Sequence, residues 1–397
     1  MIKKISLVLV ALSLLIPVTA CAAEETIKIG IVLELSGALA PMGEKMLNGA
    51  RMAVEEINAA GGVLGKPVEL LEEDGATDPD QGFDRVKKLV EIDGVQVIVG
   101  PMITSTSELS IPYAKEHKIP LITMSATGVP LSELEGTEWY FRTCLRDDAQ
   151  GLAIADIIMD KGYTKLATIV MDNTYGIGLA ADAVRGLEEA DYQFEHGVAV
   201  EYDITKMDYR TELGQIKDYN PDVVLAVTYA TDGIMVFKQA LEMGLDDIAW
   251  IGCDGNYGSG LFEEASSAEF MEKAIVAGTR TVGSGAVYEQ FVSEYTEKFG
   301  APPETYCDTT YDAVWAAAKA IEAAGVYDEA TDAYVYDGEA IRAALVELEF
   351  DGASGPLAFN ELGDRTAGAF EIWGVVKDAT TPTGYRNETI EIVTWSQ

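Results

Sequence analysis

The sequence predicts an α/β protein built as two Rossmann-like lobes, each a mostly parallel sheet flanked by helices. Three observations predict it. Apolar runs of strand length alternate with helix-spaced stretches along nearly the whole chain, the pattern of tandem βα units around a buried sheet. That pattern breaks at 139–146 (WYFRTCLR) and then restarts. A length of 397 residues exceeds one ordinary domain and suits two.

Taken in order, IKIGIVLEL (27–35) is a first buried strand. Met46, Ala50, Val54 and Ile57 then repeat at helical spacing, and Gly61-Gly62 stops that helix. VELLEED (68–74) is a second strand. Asp78-Pro79 supplies an N-cap and first turn for a helix running to about Ile92. VQVIVG and IPLITM are the third and fourth strands, with a helix between them. After the break, a helix over 149–161 leads to strand KLATIVM (165–171), and a helix over 178–189 leads to a strand near 198–202. Strand DVVLAV (222–227), a helix ending near Gly244, strand AWIG and strand KAIVAG (273–278) follow. Helices are predicted over 287–299, 309–324 and about 338–348. The middle one carries Tyr311, Val314, Trp315, Ala318 and Ile321 on one face. GPLAFN and GAFEIWGVV read as two short strands in a hairpin with Gly363-Asp364 at its turn.

Composition narrows the function. Lys and Arg number 28 against 66 Asp and Glu, so polyanionic nucleic acid and anionic membrane surfaces are poor partners. A basic start (MIKK) and an apolar run, ISLVLVALSLLIPV, have the form of a signal peptide over 1–20. Val18-Thr19-Ala20-Cys21 fits a bacterial lipobox, which makes Cys21 the expected lipidation site; Ala20-Cys21-Ala22 also fits ordinary cleavage after Ala22. No later stretch is apolar for long enough to span a membrane. The expectation is an exported protein, at the outer face of the cell membrane or in the periplasm, tethered by lipid or free. The remaining cysteines, Cys144, Cys253 and Cys307, match no zinc spacing and no C-x-x-C, and their odd number leaves at least one free or paired between chains.

The polar residues that could recognise a ligand follow the predicted strands. Thr104 and Ser105 come after VQVIVG, Ser125, Ala126 and Thr127 after IPLIT, Asp172 to Tyr175 after KLATIVM, Thr228 and Tyr229 after DVVLAV, and Cys253-Asp254 after AWIG. In open α/β sheets ligands bind outside the carboxyl ends of the strands. Helix N-termini there offer unpaired N–H groups to an anion. Hydroxyls at Thr104 and Thr127 could hold a carboxylate, and Asp254, from the other lobe, suits an ammonium. Each residue taken singly has a plainer role: Thr and Ser as N-caps, Tyr175 and Tyr229 in packing, Asp254 in a turn. Their convergence on one sheet edge in each lobe favours binding.

In order and spacing these segments resemble the type I periplasmic solute-binding proteins of ABC importers, in the branched-chain amino acid (Leu/Ile/Val) branch. The resemblance runs from IKIGIVLELSGALAPMGEKMLNGARMAVEEINAAGGVLGKPVELLEEDGATDP through VIVGPMITSTS, IPLITMSATG and MDNTYGIG to TTYDAVWAAAKAIEAAG and GPLAFNELGDR. It implies two lobes joined by a three-segment hinge, with 21–144 plus 279–350 in the first and 145–278 plus 351–397 in the second. It implies an amino acid ligand and ABC permease and ATPase subunits as partners, contact with the membrane only through a lipid anchor, and no cofactor. Thr104 and Thr127 look like its carboxylate-binding hydroxyls, Ser125 like a main-chain contact to the ammonium, and Tyr175 like the aromatic that covers the ligand. Tyr229 is similar to a backbone contact position, and Asp254 stands where the family has an acidic partner for the α-amino group. Met42 replaces an aromatic of the first-lobe loop. Glu34 stands where small residues are usual; facing the cleft it would favour a polar or cationic side chain, and otherwise it caps a loop in solvent.

Other classes fit the sequence less well. Gly176-x-Gly178-x-x-Ala181 fits a dinucleotide fingerprint formally, but four residues separate it from its strand. There is no G-x-S-x-G and no H-E-x-x-H, so an enzyme is not expected. The spacing of Asp74, Asp78 and Asp80 is not a calcium loop and suits turns and caps. The same trap would serve a sensor, and amides, urea or small aromatic acids are the alternative ligands.

Overall fold

The computed structural model describes residues 25–396. The signal peptide and Cys21 lie outside them. The first sheet collects β1 (Ile27–Leu33), β2 (Val68–Asp74), β3 (Val97–Val99), β4 (Leu121–Thr123) and β5 (Tyr140–Arg142) in the order β2-β1-β3-β4-β5, all parallel. Helices α1 (Ala40–Ala59), α2 (Pro79–Lys88) and α3 (Thr104–His117) make its crossovers. Asp78 caps α2 by accepting from Gln81 N–H at 2.9 Å, and the helix passes into a π turn over Leu89–Asp93. Gly100, at the end of β3, has φ +115°, and a Cβ there would lie 2.7 Å from the Val32 carbonyl. Glycine thus lets the chain leave β3 against β1 and start α3 at the sheet edge.

The second half supplies α4 (Asp147–Asp160), β6 (Lys165–Met171), α5 (Thr174–Glu189), β7 (Glu195–Tyr202), α6 (Arg210–Tyr219), β8 (Val223–Val227), α7 (Ala230–Glu242), β9 (Ala249–Gly252), α8 (Ala265–Ala274) and β10 (Ile275–Val282). Its strands read as continuous apolar runs because both faces are covered: all five residues of β8 are buried. Then come α9 (Gly285–Phe299), α10 (Cys307–Ala324), β11 (Val326–Asp328), β12 (Ala333–Val335), α11 (Gly338–Val346), β13 (Glu349–Gly352), β14 (Gly355–Ala358), β15 (Ala367–Lys377) and β16 (Tyr385–Ser396). The second sheet runs β16-β15-β10-β9-β8-β6-β7, with β15 and β16 antiparallel at one side.

Several expectations change here. The helices α6 and α8 were not expected, and 273–274 are the end of α8 rather than strand. The hairpin expected around Gly363-Asp364 does not form a paired sheet. β14 pairs with β13 across Ala353-Ser354, whose N–H groups both donate to Asp312 at 2.7 Å, while β15 joins β10 and β16. The Gly363 turn is closed instead by an isolated bridge, Phe359 to Arg365, with Asn360 N–H donating to the Asp364 carbonyl (2.9 Å) and Gly363 N–H to the Asn360 carbonyl (3.0 Å).

Three segments pass between the two halves side by side: β5 into α4, β10 into α9, and β14 into β15. The first and third are tied by Arg142 N–H to the Gly363 carbonyl (2.9 Å) and Arg365 Nη1 to the Thr143 carbonyl (2.8 Å), β10 pairs with β15 as far as Val282 and Ala369, and Thr143 Oγ1 also reaches the Thr309 carbonyl of α10 (2.8 Å). At their centre Arg142 and Asp364 form a fully buried ion pair at 2.7 Å.

Candidate functional site

The carboxyl ends of the two sheets face each other, and a narrow cavity of about 30 Å³ lies between them. One wall is apolar: Leu39 and Met42 at the start of α1, and Met102 and Ile103 between β3 and α3. Thr104 opens α3. It is 2% exposed and its hydroxyl has no partner among the described residues. The N-cap of α3 is Ile103, with no side-chain cap bond, so Thr104 is not spent on capping. A free hydroxyl and free helix N–H groups at one point are suited to a carboxylate. Ser125 also lines the cavity; its hydroxyl donates to the Met102 carbonyl at 2.8 Å, while its N–H makes only a 3.5 Å contact.

The opposite wall comes from the second sheet. Asp254 follows β9 and is 3% exposed. Its Oδ1 accepts from Gln150 Nε2 and Tyr175 Oη, both at 2.7 Å, and its Oδ2 accepts from Tyr306 Oη at 2.6 Å. Three neutral donors orient the carboxylate without neutralising it, and no Lys or Arg pairs with it among the described residues. Tyr175 and Tyr229 lie parallel, 5.9 Å between centroids, and cover the cavity. Burial and the Asp254 charge drive the hydroxyls of Tyr175 and Tyr306 well above the usual phenol range, so both act as donors. Lobe-to-lobe bonds ring the site: Thr231 Oγ1 to the Ala38 carbonyl (3.0 Å), Thr174 Oγ1 to Glu108 (3.1 Å), and Lys45 Nζ to Ser259 Oγ (2.9 Å).

Of the residues singled out in the sequence, Met42, Thr104, Ser125, Tyr175, Tyr229 and Asp254 meet at this cavity. Three do not. Ser105, the next position round α3, faces an adjoining groove with Asp172, Asn173 and Asp203. Ala126 is buried and turns its carbonyl to Tyr140 and Arg142. Thr127 is buried beside Asp147, whose N–H donates to its carbonyl at 3.0 Å. Glu34 faces neither cavity nor solvent. It is fully buried, its Oε2 accepts from Thr77 N–H, and its Oε1 has no partner among the described residues. Sequence reasoning missed Tyr306 and Gln150. Tyr306 has φ +67° just before α10, a position with no motif, and Gln150 looked like one more helical polar residue. Cys144, Cys253 and Cys307 are free and buried. Gly176 serves packing, since a Cβ would lie 2.4 Å from the Met171 carbonyl. Among the described residues no group of His, Cys, Asp and Glu could hold a metal, and no helix is long and apolar enough to cross a membrane.

Two α/β lobes with a small, part-charged and part-apolar cavity between them define a binding protein for a small molecule. The chain belongs to the periplasmic binding protein family, whose profile matches residues 26–377. It is 31% identical over 370 residues to the Leu/Ile/Val-binding protein BraC3 of Rhizobium johnstonii, spanning 88% of this chain and 92% of the relative. It is 28% identical to the leucine-, isoleucine-, valine-, threonine- and alanine-binding protein of Pseudomonas aeruginosa, over 90% and 92% of the two chains. The fold matches a branched-chain amino acid transporter substrate-binding protein from Streptococcus pneumoniae solved with isoleucine (TM-score 0.78, 23% identity, 94% and 100% covered). It matches equally a solute-binding protein of Rhodopseudomonas palustris solved with benzoate (TM-score 0.78, 17% identity, 94% and 98% covered).

Proposed function

We propose that the protein is the extracytoplasmic substrate-binding component of an ABC importer and captures an α-amino acid with an apolar, branched side chain, without catalysing a reaction on it. One observation carries the reading: Asp254, oriented by neutral donors only, stands across a small cavity from the unpartnered Thr104 hydroxyl, with Leu39, Met42, Met102 and Ile103 alongside. A zwitterion needs an anion at one end and donors at the other, and an apolar wall suits an aliphatic side chain. The relatives named for leucine, isoleucine and valine support it. An aromatic acid without an amine would leave Asp254 buried and unpaired, which is costly.

In this reading the lobes, 21–144 plus 279–350 and 145–278 plus 351–397, close as a trap. The carboxylate docks first at Thr104 and the N-terminus of α3, and the Ser125 main chain remains the contact offered to the ammonium. Tyr175, Tyr229 and Asp254 then complete the site from the second lobe, and ligand contacts in both lobes bias the hinge toward closure. A permease and its ATPase would recognise the closed form, and Cys21 would hold the exported protein to the membrane by lipid. The test is thermal unfolding of the mature protein against the twenty amino acids, urea, acetamide and benzoate. A ligand at a hundred times its Kd adds about 2.7 kcal/mol. A shift with leucine, isoleucine or valine is expected. A shift only with amides or benzoate would replace the reading with the alternative.

A further inference from the structure

Asp147 opens α4, one helical turn before Gln150, so the two side chains leave the helix on one face. Gln150 Nε2 reaches Asp254 Oδ1 at 2.7 Å, so that face is turned toward the carboxylate of the cleft. Asp147 is 0% exposed, and neither of its carboxylate oxygens has a partner among the described residues. The Thr127 hydroxyl beside it is also buried; it makes no well-formed hydrogen bond but is the one neutral side-chain donor that favours the ionised form. An ionised carboxylate so placed is costly unless a cation or several donors face it.

The surroundings supply no such cation. The charged groups facing Asp147 are Asp254, Asp182 on α5 and Arg142 on β5; the neutral titratable ones are Tyr175, Tyr306 and Cys144. Asp182 pairs with Arg185. Arg142 spends its guanidinium on Asp364, Ser132 and the carbonyls of Ala126 and Gly128. Burial first, and the charge of Asp254 second, push the Asp147 carboxyl well above the usual carboxylate range. Two buried carboxylates that act on each other do not both ionise readily without a cation.

We propose that Asp147 is the proton-exchanging partner of Asp254 in an amino-group subsite: it is a neutral acid while no cation faces Asp254, and it gives its proton to solvent when a ligand ammonium arrives. The balance is simple. The O–H bond of Asp147 breaks heterolytically, H+ goes to the buffer, and the positive charge of the ammonium takes its place. The inference rests on the reading that the ligand is an amino acid. It goes beyond that reading in making capture proton-linked, with affinity rising by up to about tenfold per pH unit where a whole proton is released.

The test is isothermal titration of the mature wild-type protein with leucine, isoleucine and valine near pH 7, in phosphate and in Tris, whose ionisation enthalpies differ. These ligands exchange no proton of their own at that pH. The expected result is a binding heat that changes with buffer by the equivalent of about one released proton, and no such change for Asp147→Asn. Equal heats in both buffers, or the same release in Asp147→Asn, would overturn the proposal while leaving the amino acid reading intact. Should Asp147→Asn not fold, wild-type affinities at pH 6, 7 and 8 decide instead: an affinity that does not rise with pH overturns it. Absence of binding by all three amino acids would sink both.

Discussion

Replacing Glu34 by Gln isolates the energetic cost of one buried carboxyl. Glu34 sits past the end of β1, behind the cavity-lining Met102, whose sulfur accepts its N–H at 3.4 Å. Burial raises its pKa, Thr77 N–H opposes that, and the charges of Asp74 and Asp78 add to it, so the carboxyl is pushed from 4.5 up to about 7. Between those values the folded protein holds a proton that the unfolded chain has released. Stability therefore falls as pH rises from about 4.5 to about 7, and the whole cost stands above that. At about 1.36 kcal/mol per pH unit the interval amounts to about 3 kcal/mol. Gln keeps an oxygen for Thr77 N–H and carries no charge, but places an NH2 where Oε1 lacks a partner, at a cost of about 1 kcal/mol. Glu34→Gln should thus gain about 2 kcal/mol over wild type at pH 8 and lose about 1 kcal/mol at pH 4.5. Urea unfolding at the two pH values, followed by circular dichroism, reads the difference directly. A variant whose stability parallels wild type at both would refute the assignment of that cost to Glu34.

Other substitutions probe the rest of the account. Asp254→Ala removes the acceptor of Gln150, Tyr175 and Tyr306 and should weaken amino acid binding by at least about tenfold, the loss of one charged hydrogen bond; unchanged affinity in a titration would remove it from the site. Gly43→Ala would put a Cβ 2.0 Å from the Glu34 carbonyl and should destabilise by about 1–3 kcal/mol in denaturant unfolding, and a change near zero would contradict the close approach of α1 to β1. Asp364→Ala leaves Arg142 and Arg146 without their shared carboxylate inside the crossing segments. It should cost about 3–5 kcal/mol in the same assay, and a loss under about 1 kcal/mol would show that the pair does not hold the hinge.

Much of the fold could be read because a parallel strand buried on both faces leaves an unbroken apolar run, as in β6 and β8. The elements that escaped lack that mark. The helices α6 and α8 are ten residues each, with three and five buried positions. Edge strand β16 carries the polar run Arg386-Asn387-Glu388-Thr389 and is mostly exposed, so nothing in its composition points to a partner. The site was legible in the same uneven way. Sheet topology alone places Thr104 at the carboxyl edge of the first sheet and Tyr175, Tyr229 and Asp254 at that of the second. Which of two neighbours faces the cavity depends on rotation along helix or loop, and that separates Thr104 from Ser105 and Ser125 from Thr127. Tyr306 and Gln150 reach Asp254 from segments 52 and 104 residues away, a convergence only the folded chain supplies.

The central claim is that Asp254 and Thr104 bracket the two charges of an apolar amino acid. Its most direct test is isothermal titration of protein refolded free of copurified ligand, comparing leucine with its 2-hydroxy acid analogue and with benzoate. The account predicts about micromolar or tighter binding of leucine, isoleucine or valine, and at least about a tenfold loss when the hydroxy acid replaces the amine. Equal affinity for amino and hydroxy acids, or binding of benzoate with none of the amino acids, would contradict it.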